Sequence, residues 1–156
     1  LPYAFASHFA PQMLEEAIAT YRTTFRPSQW LAKPYFMMAV GVCAADTDEE
    51  ALYLRSSQML AFARLRTGRP GKLPLPIEDL SAEIPGPLLS QVKQALSCSA
   101  TGCGEMVRRE LGALVDRYKP EELMVTGMIH DHVARLRSFA LAADALSDIA
   151  QASKAA

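Results

Sequence analysis

Three short apolar runs, each followed by a stretch with helical spacing, constrain this chain more than any other feature. They are Leu1–Phe9, Tyr35–Ala45 and Leu123–Met128. Strand patterns that alternate with helix patterns argue for parallel βα units. Tyr35–Ala45 (YFMMAVGVCAA) is apolar throughout, so both faces of that strand should be covered, as in a parallel sheet. A closed (β/α)₈ barrel needs eight strands and about 250 residues. This chain has 156 residues and opens at Leu1 without a methionine. Three strands therefore predict either a small open α/β sheet or the last βα units of a larger barrel.

The helical stretches carry start and stop signals. Pro11 sits where a helix loses no useful N–H, and Met13, Leu14, Ala17, Ile18 and Tyr21 mark one face of the helix it begins. Glu15 and Glu16 near the start and Arg22 and Arg26 near the end suit the helix dipole. Pro27 and Pro34 bracket the exit. Asp46 or Thr47 is placed to cap a second helix, with Glu49 or Glu50 at the capping-box position. That helix carries Leu52, Met59, Phe62, Ala63 and Leu65. Thr67–Leu88 holds five of the ten prolines and three glycines, the mark of a long surface excursion of the kind used as lids or interfaces. A short helix over Leu88–Ser97 comes next, then a longer one over Gly104–Lys119 with Val107, Leu111, Leu114 and Val115 inward and Pro120 as its stop. Asp131 is a good N-cap for a last helix bearing Val133, Leu136, Ala140 and Ala143. Residues 1–150 read as one unit and 151–156 as a frayed tail.

Half the residues are hydrophobic and the net charge is −1. That leaves enough apolar side chains for a core and argues against a nucleic-acid partner. No apolar run is long enough for a membrane span, and no signal peptide is visible. Cys43, Cys98 and Cys103 are odd in number and scattered, which suits a reducing cytoplasm better than a disulfide framework or a zinc site.

In parallel α/β folds, ligands meet the C-terminal ends of the strands. The first strand ends in Ser7, His8 and Phe9, the second in Cys43, Ala44 and Asp46, and the third in Thr126, Gly127 and Met128, with Ile129, His130, Asp131 and His132 just beyond. His8 can donate to a ligand or act as acid or base, or it can be satisfied by local backbone. Ser7 lacks the G-x-S-x-G context of a hydrolase nucleophile. His130 and His132, two apart around a helix start, point away from each other, so no metal is expected and Asp131 reads as a cap. Gly127 either lets a ligand approach or ends the strand. Cys43 reads as core, since its neighbours are apolar. Arg135 and Arg137 can reach an anion or simply solvate a helix. Gly102-Cys103-Gly104 before a helix can form a small anion-binding turn, without P-loop spacing.

Several strings carry a family likeness: LPYAFASHFAP, AADTDEEA, RLRTGRPGKLP, ELMVTGMIHDHVARLRSF and the helix containing MVRREL. Together they resemble the C-terminal half of the bacterial luciferase-like flavin-dependent monooxygenases, the luciferase family oxidoreductases. The resemblance runs from Leu1 to about Ala145. It implies a partial TIM-type (β/α)₈ barrel in which the three runs are strands six, seven and eight, with 67–97 as an insertion. It implies FMN, used in its reduced form, with O₂ and a small organic substrate as partners. The cysteines point to the cytoplasm, and an open sheet edge predicts a homo-oligomer. By the same likeness, Ser7, His8, Phe9, Thr126 and Gly127 lie at the barrel mouth as cofactor-binding residues. No residue is assigned as a catalytic acid or base, because the cofactor carries that chemistry.

The family's main flavin-ring contacts and its phosphate-binding turn lie in strands one to five, which this sequence lacks. His130 stands where relatives commonly have Tyr. Cys103 and Gly104 stand where relatives often have small polar residues or proline. The expectation is thus a flavin-dependent oxidoreductase by descent that is incomplete as this chain. The alternative is a non-catalytic assembly module that self-associates through its open sheet edge.

Overall fold

The structure, a computed structural model, describes residues 1–9 and 11–155. In chain order the elements are β1 (Tyr3–Phe5), α1 (Leu14–Thr24), β2 (Phe36–Ala44), α2 (Asp48–Arg66), α3 (Leu80–Glu83), α4 (Gly86–Ala95), β3 (Ser99–Gly102), α5 (Gly104–Tyr118), β4 (Glu122–Thr126) and α6 (His132–Ala155). The mixed α/β architecture is as expected, and every strand pair is parallel.

The strand count is corrected from three to four. β3 is a short strand, SATG, between two helices where the sequence predicts only a connection. Its residues are small, and two of the four are hydroxyl-bearing, so no apolar run announces it. β2 is the hub: β1 pairs with Phe36–Met38, β3 with Gly41–Ala44 and β4 with Met37–Gly41. Hydrogen bonds sort these partners onto two edges, because successive backbone groups of a strand face opposite edges. Tyr3 N donates to Tyr35 O, His8 N to Ala39 O, and Gly41 N to Cys98 O, all at odd-numbered positions of β2 or the residue before it. Glu121 N donates to Phe36 O, an even position on the other edge. β1 and β3 therefore share one edge of β2, end after end, and β4 takes the other.

The first run, Leu1–Phe9, is strand only over Tyr3–Phe5. At Ser7 the hydroxyl donates to Ala39 O at 2.5 Å, and Phe9 N closes a turn onto Ala6 O. The chain leaves the sheet there, and β3 continues the edge it vacates.

Side chains of β2 alternate between two faces. Phe36, Met38, Val40, Val42 and Ala44 join Leu14 and Ile18 of α1, Val107 and Leu111 of α5, and Ala142 and Ala145 of α6 in the main core. On the other face Cys43 and Ala45 meet Ala51 and Leu54 of α2 and Ile129. A third cluster joins Leu60, Phe62 and Ala63 of α2 to Ile84, Val92, Ala95 and Leu96.

Caps and clamps behave as the chemistry directs. Thr47 is the N-cap of α2 and its hydroxyl accepts from Glu50 N. Asp131 Oδ1 accepts from Ala134 N at the start of α6. Arg22 donates to Tyr118 O and Lys119 O, holding α1 to the end of α5. Ala44 N donates to Ser138 Oγ, docking α6 on the end of β2.

Two helices turn faces inward that their sequence spacing does not predict. On α2, Phe62 and Ala63 are buried and Met59 packs beside them as the spacing suggests, but Leu52 and Leu65 are exposed, and Ala51, Leu54 and Leu60 also turn inward. On α6 the residues singled out in the sequence, Val133, Leu136, Ala140 and Ala143, do not form the buried face, and Val133 is 74 % exposed. Ser138, Ala142 and Ala145 are buried in their place. The helix is rich in alanine on every side, so periodicity cannot choose a face. The helix expected over Leu88–Ser97 starts earlier, at Gly86, with Pro87 in its first turn. Of the tail expected to fray, 151–155 continue α6, and Ala156 lies outside the described residues. Among the described residues no helix is long and apolar enough to cross a membrane.

Candidate functional site

The end of β1, the segment after β4 and one face of α2 enclose a cleft of about 260 Å³. His8, Phe9 and Met128 line it from the strand ends; Gln58, Ala61, Phe62 and Leu65 line it from α2. Pro70, Gly71 and Leu96 complete it. The α2 residues fall at i, i+3, i+4 and i+7, the spacing that puts four side chains on one helix face. Phe9 meets Phe62 edge to face, with ring centroids 5.8 Å apart. The walls are mostly apolar, and among the described residues no Lys, Arg, Asp or Glu lines the cleft.

Of the mouth residues expected from the sequence, His8 and Phe9 are brought together here. The others are elsewhere. Ser7 is fully buried, spends its hydroxyl on Ala39 O, and lies beside Cys98. Thr126 pairs with Gly41 inside the sheet. At Gly127 an added Cβ would lie 3.2 Å from Phe139 and 3.3 Å from Val42 O, so packing accounts for the glycine. The ligand-approach reading is not needed there.

His8 is the anomaly in the cleft. Its backbone N–H is used by Ala39 O, but among the described residues its buried side-chain Nδ1 has no hydrogen-bond partner. Buried polar groups normally find one.

Beneath the cleft, α2 buries polar side chains that sequence reasoning passes over: Arg55, Ser56, Ser57 and Gln58. Arg55 Nη1 donates to Gln58 Oε1 at 2.7 Å, and Nη2 donates to Ser99 Oγ at 2.8 Å and Leu96 O at 3.3 Å. All three acceptors are neutral. Burial pulls the Arg55 guanidinium below its ordinary pKa, opposed by Cys43 and by Glu110 nearby. The signal for this cluster is the run RSSQ in mid-helix, where four consecutive polar residues cannot all face water while α2 is packed on two sides.

Burial pushes the Cys43 thiol up to about 11, against the pull of Arg55. It donates weakly to Ala51 O, which agrees with a core role rather than a reactive one. The turn at Gly102-Cys103-Gly104 already holds an anion. Cys103 N donates to Asp48 Oδ1 at 2.7 Å, and Gly102, at φ 147°, has no room for a side chain beside that carboxylate. Arg137 pairs with Asp46, and Arg135 bonds His132 Nδ1, so both are engaged outside the cleft. Among the described residues no three His, Cys, Asp or Glu side chains gather as a metal-holding group.

A larger cleft of about 700 Å³ lies across Pro70 and Gly71, lined by Arg64, Arg69 and Lys72 with Glu83. No strand end among the described residues contributes to it, so the smaller cleft is the better candidate despite its size.

No family model matches the chain. Over 149 residues it is 43% identical to an Escherichia coli K12 protein named luciferase-like monooxygenase, covering 96% of this chain and 44% of that protein. It is 38% identical to the Bacillus subtilis protein YvbT, over 92% of this chain and 43% of the relative. The crystal structure of apo-MsnO8 superposes with a TM-score of 0.74 at 31% identity, covering 94% of this chain and 45% of that one. The chain thus spans about half the length of the relatives it matches. The likeness carried by the quoted strings is shown: over nearly all its length this is a luciferase-like sequence.

Proposed function

We propose that this luciferase-like chain supplies the C-terminal half of a flavin-dependent oxidoreductase, with β1, β2 and β4 as strands six, seven and eight of a (β/α)₈ barrel. One observation carries the reading: an apolar, aromatic-walled cleft stands at the strand ends, where such folds place their ligands. The residues fit one part of FMN. Phe9, Phe62, Leu65 and Met128 suit the faces of a planar ring, while His8 and Gln58 suit its polar rim. They do not fit the phosphate, since no cation among the described residues lines the cleft. Reduced FMN, when bound, supplies the electrons with which O₂ oxidises a small organic substrate. The chain's own residues bind the ring, orient it and exclude water. The three free cysteines agree with a cytoplasmic setting.

The test is a fluorescence titration with FMN and with riboflavin, which lacks the phosphate. Saturable binding of both, equal within about twofold and weakened in Phe62→Ala, supports the half site. No binding up to millimolar flavin overturns it. A strong preference for FMN moves the phosphate to the basic cleft across Pro70–Gly71 and overturns the ring-only reading.

A second reading rests on the sheet's outer edges and on exposed Met124, Met128, Val133 and Leu136. Apolar surface and open strands favour self-association. A monomer by sedimentation at micromolar concentration excludes it.

A further inference from the structure

Arg55 and Gln58 together make a directed donor in the cleft. A guanidinium only donates, so the Gln58 atom 2.7 Å from Arg55 Nη1 is the amide oxygen. That contact settles the orientation of the amide, which is otherwise ambiguous. The oxygen is engaged below, and the amide nitrogen is left as the polar atom that Gln58 can offer to the cleft it lines. Gln58 is only 7 % exposed, and among the described residues its hydrogen bond to Arg55 engages the oxygen and leaves the nitrogen for a ligand. The guanidinium in turn is buried against neutral acceptors. An arrangement of this kind costs free energy that a purely structural site would avoid with an apolar residue.

We infer that Gln58 is a specificity-determining donor and Arg55 its positioning residue, together selecting neutral, apolar-bodied ligands that carry a hydrogen-bond acceptor. This rests on the reading of the cleft as a ligand site, though not on the ligand's being a flavin. The absence of Lys, Arg, Asp and Glu among the described residues of the lining removes charge recognition. The apolar walls of Phe9, Phe62, Leu65 and Met128 take the body of the ligand. The amide N–H group meets the acceptor, and the unmet His8 Nδ1 offers a second polar point. A ligand without an acceptor covers the amide and leaves it unpaired, which is where discrimination arises.

The test uses two probes of matched shape, acetophenone and ethylbenzene, with the full chain observed by ¹H–¹⁵N NMR. Both should shift the signals of His8, Ala61, Phe62 and Leu65. The variant Gln58→Glu keeps the size of the side chain and gives Arg55 a charged partner, but offers the cleft an acceptor in place of a donor. The ratio of affinities, acetophenone over ethylbenzene, should fall about tenfold in Gln58→Glu, the scale of one net hydrogen bond. Arg55→Met, which frees the amide to turn, should lower the same ratio by a smaller factor. A purely structural role for the pair predicts no change in the ratio. An unchanged ratio in folded Gln58→Glu overturns the inference, as does wild-type protein in which neither probe shifts the cleft signals. If flavin fails to bind but the ratio falls as stated, the inference stands and the flavin reading does not.

Discussion

The two faces of β2 belong to one strand but are finished by different rules. Phe36, Met38, Val40 and Val42 point into the core made by α1, α5 and α6 and are almost fully enclosed. Polar groups at that boundary are matched: Ala44 N reaches Ser138 Oγ, and Phe36 N reaches Glu121 Oε2 at 2.7 Å. Over the opposite face, α2 buries Arg55, Ser57 and Gln58. Nearby, His8 Nδ1 and Ser57 Oγ have no partner among the described residues. The first face follows every rule of packing and the second breaks several. Such departures gather where a protein trades stability for recognition, so the contrast marks the same region as the candidate cleft.

The largest effect should come from the packed face. Leu111 is fully enclosed between α5 and the sheet. Leu111→Ala removes its buried methyls and leaves a cavity, which should cost about 2–5 kcal/mol. Urea unfolding of the variant measures it. A loss under about 1 kcal/mol would mean the face can collapse around the gap, and the contrast between the two faces would break.

An intermediate effect belongs to the α2 side and is read through pH. The Cys43 thiol is raised to about 11 by burial, from an ordinary value of 9.0. In the fold it therefore keeps its proton after the unfolded chain has lost it. The stability tied to the protonated thiol is fully present below about pH 9 and is lost as pH climbs toward 11. Across that window the cost is about 1.4 kcal/mol per pH unit. Cys43→Ala removes the titration, so the variant should lose less stability than wild type between pH 9 and 11, whatever its stability at neutral pH. Parallel curves would show that the thiol does not feel its burial.

The packed face is also the part of the molecule that sequence reading can reach. β2 is an unbroken apolar run. α5 shows Val107 and Leu111 one turn apart before a proline stop. Thr47 and Asp131 cap by local chemistry alone. Each of these signals sits within a few residues of its consequence. The features that escape it depend on distant partners. β3 is a strand only because β1 turns away at Ser7 and leaves an edge of β2 free. α6 has alanine on all sides, and its face is chosen by the sheet it meets. In the candidate cleft, the presence of His8 and Phe9 follows from the strand-end rule. Arg55 and Gln58 are not, because their meaning lies in contacts with Leu96 and Ser99, some forty residues onward. Ser7 and Gly127 look like mouth residues in sequence and are packing residues in space.

The smallest effect should come from the residue that looks most dangerous to touch. Removing one member of a buried ion pair is costly because the other charge is stranded. The Arg55 guanidinium is held by neutral groups instead: its hydrogen bonds go to Gln58 Oε1, Ser99 Oγ and Leu96 O. Two of those groups satisfy each other without it, since Ser99 Oγ donates to Leu96 O at 2.6 Å. Arg55→Met keeps most of the volume and strands only the Gln58 oxygen, while removing the desolvation of a cation. The two terms are of similar size and opposite sign, so the unfolding free energy should change by less than about 1 kcal/mol. A loss of several kcal/mol would show that the guanidinium is a structural keystone, and the opposition between a packed face and a recognition face would dissolve. A near-neutral result on the same variant that loses ligand discrimination would separate the two roles within one side chain.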